Sequence, residues 1–217
     1  MDNYLSPTAY VDSDHLAVID YAHQHTQADD SQLDQAVDLY YAIRDGFMYH
    51  PYDLVLTREG LKASSLLKKD RGYCVEKSNL LAACARVLGI PSRLGFGIVK
   101  NHIGVEKVLE YLKTDLLVFH GYTELYLEGQ WVKATPAFNK ELCELYQVAP
   151  LEFDGKTDSL FQEYNEGGHQ FMEYKHDYGV FDDMPRELFI SELQKHYPHI
   201  FKDQSNPVYK FIVTTDT

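Results

Sequence analysis

Residues 75–88 are the part of the sequence that most restricts the fold. Leu80, Leu81, Ala83, Cys84, Val87 and Leu88 recur densely enough to demand a helix buried over most of its circumference. Gly89 ends that helix and Pro91 forbids it from restarting. A helix of this kind needs cover from the rest of the chain. The 217 residues, 45% of them hydrophobic, are enough to supply it around one core.

The flanking patterns say what the cover is. Residues 15–25 read as a helix behind Asp12 or Ser13, and 31–47 as a longer one whose Leu33, Ala36, Val37, Tyr40, Tyr41 and Ile43 share a buried face. A third helix is expected behind Thr57. After the central helix the period changes: 92–99 is strand-like, 105–112 is a short inserted helix, and 116–127 and 130–135 flank Glu128-Gly129 as a hairpin with a two-residue turn. A short helix follows Asn139, an aromatic-rich irregular stretch runs to Met184, and an amphipathic helix spans 186–196. Helices first and sheet after predict an α+β fold, the central helix lying on an antiparallel sheet. No repeat, low-complexity tract or linker divides the chain, so 1–217 is read as one domain. Its motif-bearing core lies at about 57–139, between a helical N-terminal part (1–56) and an irregular, partly helical C-terminal part (140–217).

Charge and cysteine usage narrow the function. The net charge of −13 repels a phosphate backbone, and the nearest basic run, Lys68-Lys69-Asp70-Arg71, is broken by an acid, so nucleic acid is not expected as a partner. No apolar run approaches the ~18 residues of a membrane span, and the first residues lack the charge and apolar core of a signal peptide. Cysteines at 74, 84 and 143 form no C-x-x-C, which suits reduced thiols in a cytoplasmic protein. No cofactor motif and no paired Cys/His spacing for a metal occurs, so neither is expected.

Cys74 stands at the first turn of the central helix, where free N–H groups and the positive dipole end favour a thiolate. The alternative for it is an inert residue at a helix start. Cys84, ten residues or roughly 15 Å further along the helix, cannot reach it and reads as core, as does Cys143. Among ten histidines, His120 alternates with Tyr122, Glu124 and Tyr126 on a strand, a rigid mount from which an imidazole can be aimed at a helix start. A hydrogen-bonded structural histidine is the alternative there.

Gly72-Tyr73-Cys74, the run from Ala85 through Arg86-Val87-Leu88-Gly89-Ile90-Pro91 to Arg93, His120 to Tyr126, and Gly129-Gln130-Trp131-Val132 occur in the order found in the transglutaminase-like superfamily of papain-like thiol enzymes, which the chain resembles over about 72–136. The resemblance implies a papain-like α+β fold with Cys74 as nucleophile and His120 as base. It also suggests a place among the bacterial transglutaminase-domain proteins. The family's third catalytic residue is an Asp before a Pro, whereas this chain has Thr135-Pro136.

If Glu128-Gly129 is the turn, Tyr122 pairs with Thr135, which makes Thr135 a diagonal neighbour of His120. Its hydroxyl could fix an imidazole tautomer directly or through water, without supplying charge. Glu124 lies about 13 Å from His120 along the strand, too far for a hydrogen bond. Asn139 is the rival orienter, and it equally suits the cap of the helix at Lys140. The main-chain N–H of Cys74 is a candidate oxyanion donor, with the second donor unassigned. Arg86 and Arg93 read as structural, Trp131 as packing, His102 as a loop residue near the cleft, and Gly167-Gly168 with His169 as a loop or flap.

The expected activity is attack of Cys74 on an amide or peptide bond of a peptide or protein substrate, with hydrolysis or acyl transfer through a thioester. The competing expectation is a binding module that keeps the fold without the chemistry. A metal-dependent hydrolase ranks third, because no H-E-x-x-H is present.

Overall fold

The computed structural model describes residues 1–52, 54–102, 106–161, 167 and 172–202. In chain order its elements are α1 (Leu16–Gln24), α2 (Gln32–Gly46), β1 (Met48–Tyr49), α3 (Ala63–Leu66), β2 (Arg71–Gly72), α4 (Cys74–Val87), β3 (Ser92–Asn101), α5 (Glu106–Leu112), β4 (Leu116–Leu127), β5 (Gln130–Ala134), α6 (Lys140–Tyr146), β6 (Met172–Phe181), α7 (Arg186–His196) and α8 (Pro198–Lys202). Strands β5, β4, β3 and β6 form, in that order, an antiparallel sheet, and α4 packs on it under cover of α1, α2 and α3. The fold is α+β with a buried central helix, as the sequence patterns require.

Helix α4 is buried from Cys74 to Arg86, including residues that sequence patterning counts as polar. Each charge or amide among them has a defined set of partners. The Lys77 Nζ donates to the carbonyls of Arg44, Phe47 and Ala137, each at 2.8 Å, which closes the C-terminal end of α2. Arg86 reaches the carbonyls of Ser6, Ser92 and Asp182, and the Asn79 amide donates to Tyr10 and Leu61. The sheet side of the helix is tied by the Thr123 hydroxyl, which donates to the Ser78 carbonyl at 2.7 Å.

The β4–β5 register is Leu127↔Gln130 through Thr123↔Ala134, and Glu128 and Gly129 have φ of 48° and 89°, the left-handed pair of a two-residue hairpin turn. Continued by one step, the same register brings Tyr122 and Thr135 opposite each other. Between Gly97 and Val99 the β3–β4 ladder shifts by one residue, with an additional residue on β4 and Phe119 at φ 64°. His120 follows directly on this bulge.

Three local expectations change. His15, rather than Asp12 or Ser13, caps α1, its Nδ1 accepting from the Ala17 N–H. Thr57 starts only a turn, with its hydroxyl accepting from Gly60, and the helix waits until Ala63. The stretch read as irregular up to Met184 contains β6, the fourth strand. Glu173, Lys175, His176 and Asp177 lie within it, and two one-residue shifts against β3 break its alternation, so no period of two is legible. Gly168 and His169 lie outside the described residues.

Replacing Lys77 by Met removes three charge-assisted bonds and leaves buried carbonyls unpaired. Lys77→Met is expected to lose about 3 kcal/mol or more of unfolding free energy, read as a fall in the urea midpoint.

Candidate active site

The start of α4 meets β4 where β4 has no side chain. A Cβ on Gly121 would lie 3.0 Å from the Val75 Cα and 3.3 Å from its nitrogen, so the strand passes the first turn of the helix in direct backbone contact. Main-chain N–H groups of Gly121, Val75 and Cys74 are consequently close enough to the Cys74 sulfur to favour its thiolate. A further polar group comes from upstream: β1 pairs in parallel with β2, Tyr49 opposite Gly72, and the Tyr49 hydroxyl lies close enough to Cys74 to favour its thiolate. The Tyr49 backbone N–H donates to Asn139 Oδ1 at 2.9 Å, and its ring stands edge-on to Phe138 at 4.7 Å.

Cys74 and His120 line one cavity of about 60 Å³, together with Tyr49, Tyr73 and apolar side chains from α5, β4 and α7. His120 also borders a second space of about 10 Å³, which it shares with Thr135, Phe161 and Met172. That is about the room one water molecule needs. Both imidazole nitrogens and the Thr135 hydroxyl are buried without a hydrogen-bond partner. Cys74, His120 and Thr135 are thus contiguous through two cavities that meet at the imidazole.

Asn139 stands elsewhere. It occupies the cap position of α6, but its side chain makes no cap bond; Oδ1 accepts from Tyr49 and Nδ2 donates to Glu141 at 2.6 Å. Its link to the site runs through Tyr49. Glu124 is paired with Arg93 at 2.6 Å, and the Arg93 guanidinium lies 4.1 Å from the centre of the Trp131 ring. Cys84 and Cys143 are buried. His102 lies 3.5 Å from Glu173 and does not line the cavity. Among the described residues no cluster of three His, Cys, Asp or Glu could hold a metal ion. Tyr49 and Tyr73 were not legible as site residues, Tyr49 because its approach depends on a two-residue bridge that carries no periodic signal.

Burial governs the ionisation. It pushes the Cys74 thiol up to about 11, outweighing the N–H groups and the Tyr49 hydroxyl that favour the thiolate. The thiolate expected from the helix-start position is thus not favoured, because desolvation outweighs the groups that lower the thiol's pKa. Burial likewise pulls His120 down to about 4, and no carboxylate opposes it. At neutral pH the site holds a thiol and a neutral imidazole.

These elements lie in a region that matches a known family. Residues 19–136, more than half of the chain, match the family model of the transglutaminase-like superfamily, and the chain belongs to that superfamily. Among solved structures it is similar to a "putative cysteine protease" from Cytophaga hutchinsonii, at 20% identity and a TM-score of 0.47 over 61% of this chain and 40% of that one. It is also similar to a "putative protease" from Parabacteroides distasonis, at 13% identity and a TM-score of 0.39 over 54% and 22% of the two chains. The chain thus spans less than half the length of either. Among curated proteins none matches. No helix of the described residues is long and apolar enough to cross a membrane.

The His120 shift has a consequence for stability. Its imidazole titrates near 6.5 when unfolded and near 4 when folded, so the unfolded chain binds the extra proton first. Stability from keeping it neutral is complete above about pH 6.5 and is lost as pH falls toward 4. Between pH 7 and 4.5 the protein should lose on the order of 2–3 kcal/mol more than His120→Gln, which cannot titrate, in urea unfolding at the two pH values.

Proposed function

We propose that the protein is a cysteine-nucleophile enzyme that cleaves or transfers the acyl group of an amide through a Cys74 thioester. The observation that carries this reading is the thiol of Cys74 at the start of α4, lining one cavity with a neutral, unpartnered imidazole. Family membership supports it independently.

In this reading His120, neutral at working pH, accepts the thiol proton as sulfur attacks the carbonyl carbon. The imidazolium then returns that proton to the leaving amine as the C–N bond breaks. Water, or a second amine, attacks the thioester with His120 again as base, and the thiol is restored when the acyl group leaves. The oxyanion is met by donors near the sulfur: the backbone N–H at the helix start and, as second donor, the Tyr49 hydroxyl. Because burial opposes both charges, a standing thiolate–imidazolium pair is disfavoured and the proton moves as attack occurs. Thr135 supplies no charge to hold the imidazolium, and the space between it and His120 suits one bridging water.

The acid limb of kcat/KM reports the free enzyme's base. It should therefore fall near pH 4 rather than 6.5, and Cys74→Ala should abolish turnover. An acid limb at 6.5 would contradict the buried neutral base. Thr135→Asp should raise kcat/KM tenfold or more and move the acid limb upward, because a carboxylate beside the ring favours its protonated form.

One observation favours a second reading, a binding module on the same fold. A threonine stands where the family has its carboxylate, and the imidazole has no partner. Under that reading folded Cys74→Ala and His120→Ala variants keep the biological effect; under the first they lose it.

A further inference from the structure

The reading of Cys74 as an acylated thiol leaves open which acyl group is taken, and the inference here rests on that reading. We propose that the cavity over Cys74 is an acyl pocket selecting an uncharged, apolar acyl chain of a few carbons, with its outer wall supplied by α7.

The lining is the first argument. Leu54, Leu112, Leu117, Phe119, Phe189 and Leu193 face the cavity, and among the described residues no acidic or basic side chain lines it apart from His120, which burial keeps neutral. A charged acyl group would lose its hydration there without finding a counter-ion. At about 60 Å³ the space exceeds the ~10–15 Å³ one water occupies by several-fold, so it has room for a short aliphatic chain.

An orphaned hydroxyl is the second. Tyr73, next to the nucleophile, lines the same cavity, and its hydroxyl is buried without a hydrogen-bond partner. A buried hydroxyl in an apolar wall is satisfied when a bound molecule brings one polar atom, as an amide does.

The wall itself is fixed in place. The Tyr197 hydroxyl, at the end of α7, accepts from the Val118 N–H and donates to the Leu116 carbonyl, both at 2.8 Å. Phe189 packs on Phe119 at 4.9 Å between ring centres. This locks α7 to the β4 bulge that precedes His120. The family match ends at residue 136, so the helix that bounds the pocket belongs to the part of the chain outside it.

The test compares p-nitrophenyl esters of acetyl, propionyl, butyryl, hexanoyl and succinyl groups, with Cys74→Ala as background. In parallel, acetamide, butyramide, hexanamide and succinamate are tested for protecting Cys74 from iodoacetamide at pH 9. Cys74-dependent kcat/KM should rise about fourfold for each methylene until the pocket is full, and succinyl should lie at least tenfold below butyryl. Leu193→Ala should move the optimum to a longer chain. So should Leu117→Ala, whose side chain is half-buried, if the first variant fails to fold. Cys74-dependent turnover with no dependence on chain length, or an unmoved optimum in the folded variant, overturns the pocket and leaves the thiol chemistry standing. No Cys74-dependent turnover, with protection that still follows chain length, overturns the chemistry and supports the pocket. Absence of both trends overturns the pocket too.

Discussion

The contact between Gly121 and the backbone of Val75 is the constraint on which the rest of the site depends. With only a hydrogen on the Gly121 Cα, β4 can lie against the first turn of α4, and its N–H can reach the Cys74 sulfur. Any side chain at 121 meets a backbone atom rather than a flexible neighbour, so the strand would have to move away. The bulge at Phe119 acts with the glycine. By inserting one residue into β4 it sets the direction from which His120 enters, so the imidazole borders both the nucleophile's cavity and the smaller space at Thr135.

The same burial that makes this geometry firm makes its charges costly. Thiol and imidazole are both held in their neutral forms, and a resident ion pair would have to overcome both shifts. Families that place an aspartate beside the histidine offset that cost with a permanent charge. Here a threonine occupies the position, so stabilisation of the imidazolium falls to the substrate and to solvent admitted to a water-sized space. In the proposed reaction the chemistry is bound to substrate binding: sulfur, ring and hydroxyl are in place beforehand, and charge forms only with the carbonyl present.

Much of this was legible in the sequence, for reasons that differ by residue. Cys74 stands out because a cysteine at the start of a buried helix has a defined electrostatic setting. His120 stands out because alternation along 116–127 fixes its face, and the Glu128-Gly129 turn fixes the register that brings Thr135 toward it. The two-fold role of Asn139 was not legible, since it holds the cap position while its amide serves Tyr49 and Glu141. Tyr49 arrives through a parallel bridge of two residues, a contact over more than twenty positions that leaves no local pattern. Strand β6 was hidden by its own bulges and its charged residues.

Polar satisfaction is uneven over the buried interior. Lys77 and Arg86, both far from solvent, make three or more hydrogen bonds each, so the fold meets the demands of buried charge where only architecture is at stake. Around Cys74 the residues Tyr73, His120 and Thr135 carry buried polar atoms with no partner, as Ser78 and Asn79 do further along α4. An unsatisfied buried group costs roughly 1–3 kcal/mol, and four such atoms, on three residues, gather beside one thiol. A structural role for these residues would be served better by apolar replacements of similar shape, since none of the four polar atoms bonds to the protein. Their retention follows if the missing partners are atoms that arrive from outside, which is the condition a thiol enzyme's substrate meets.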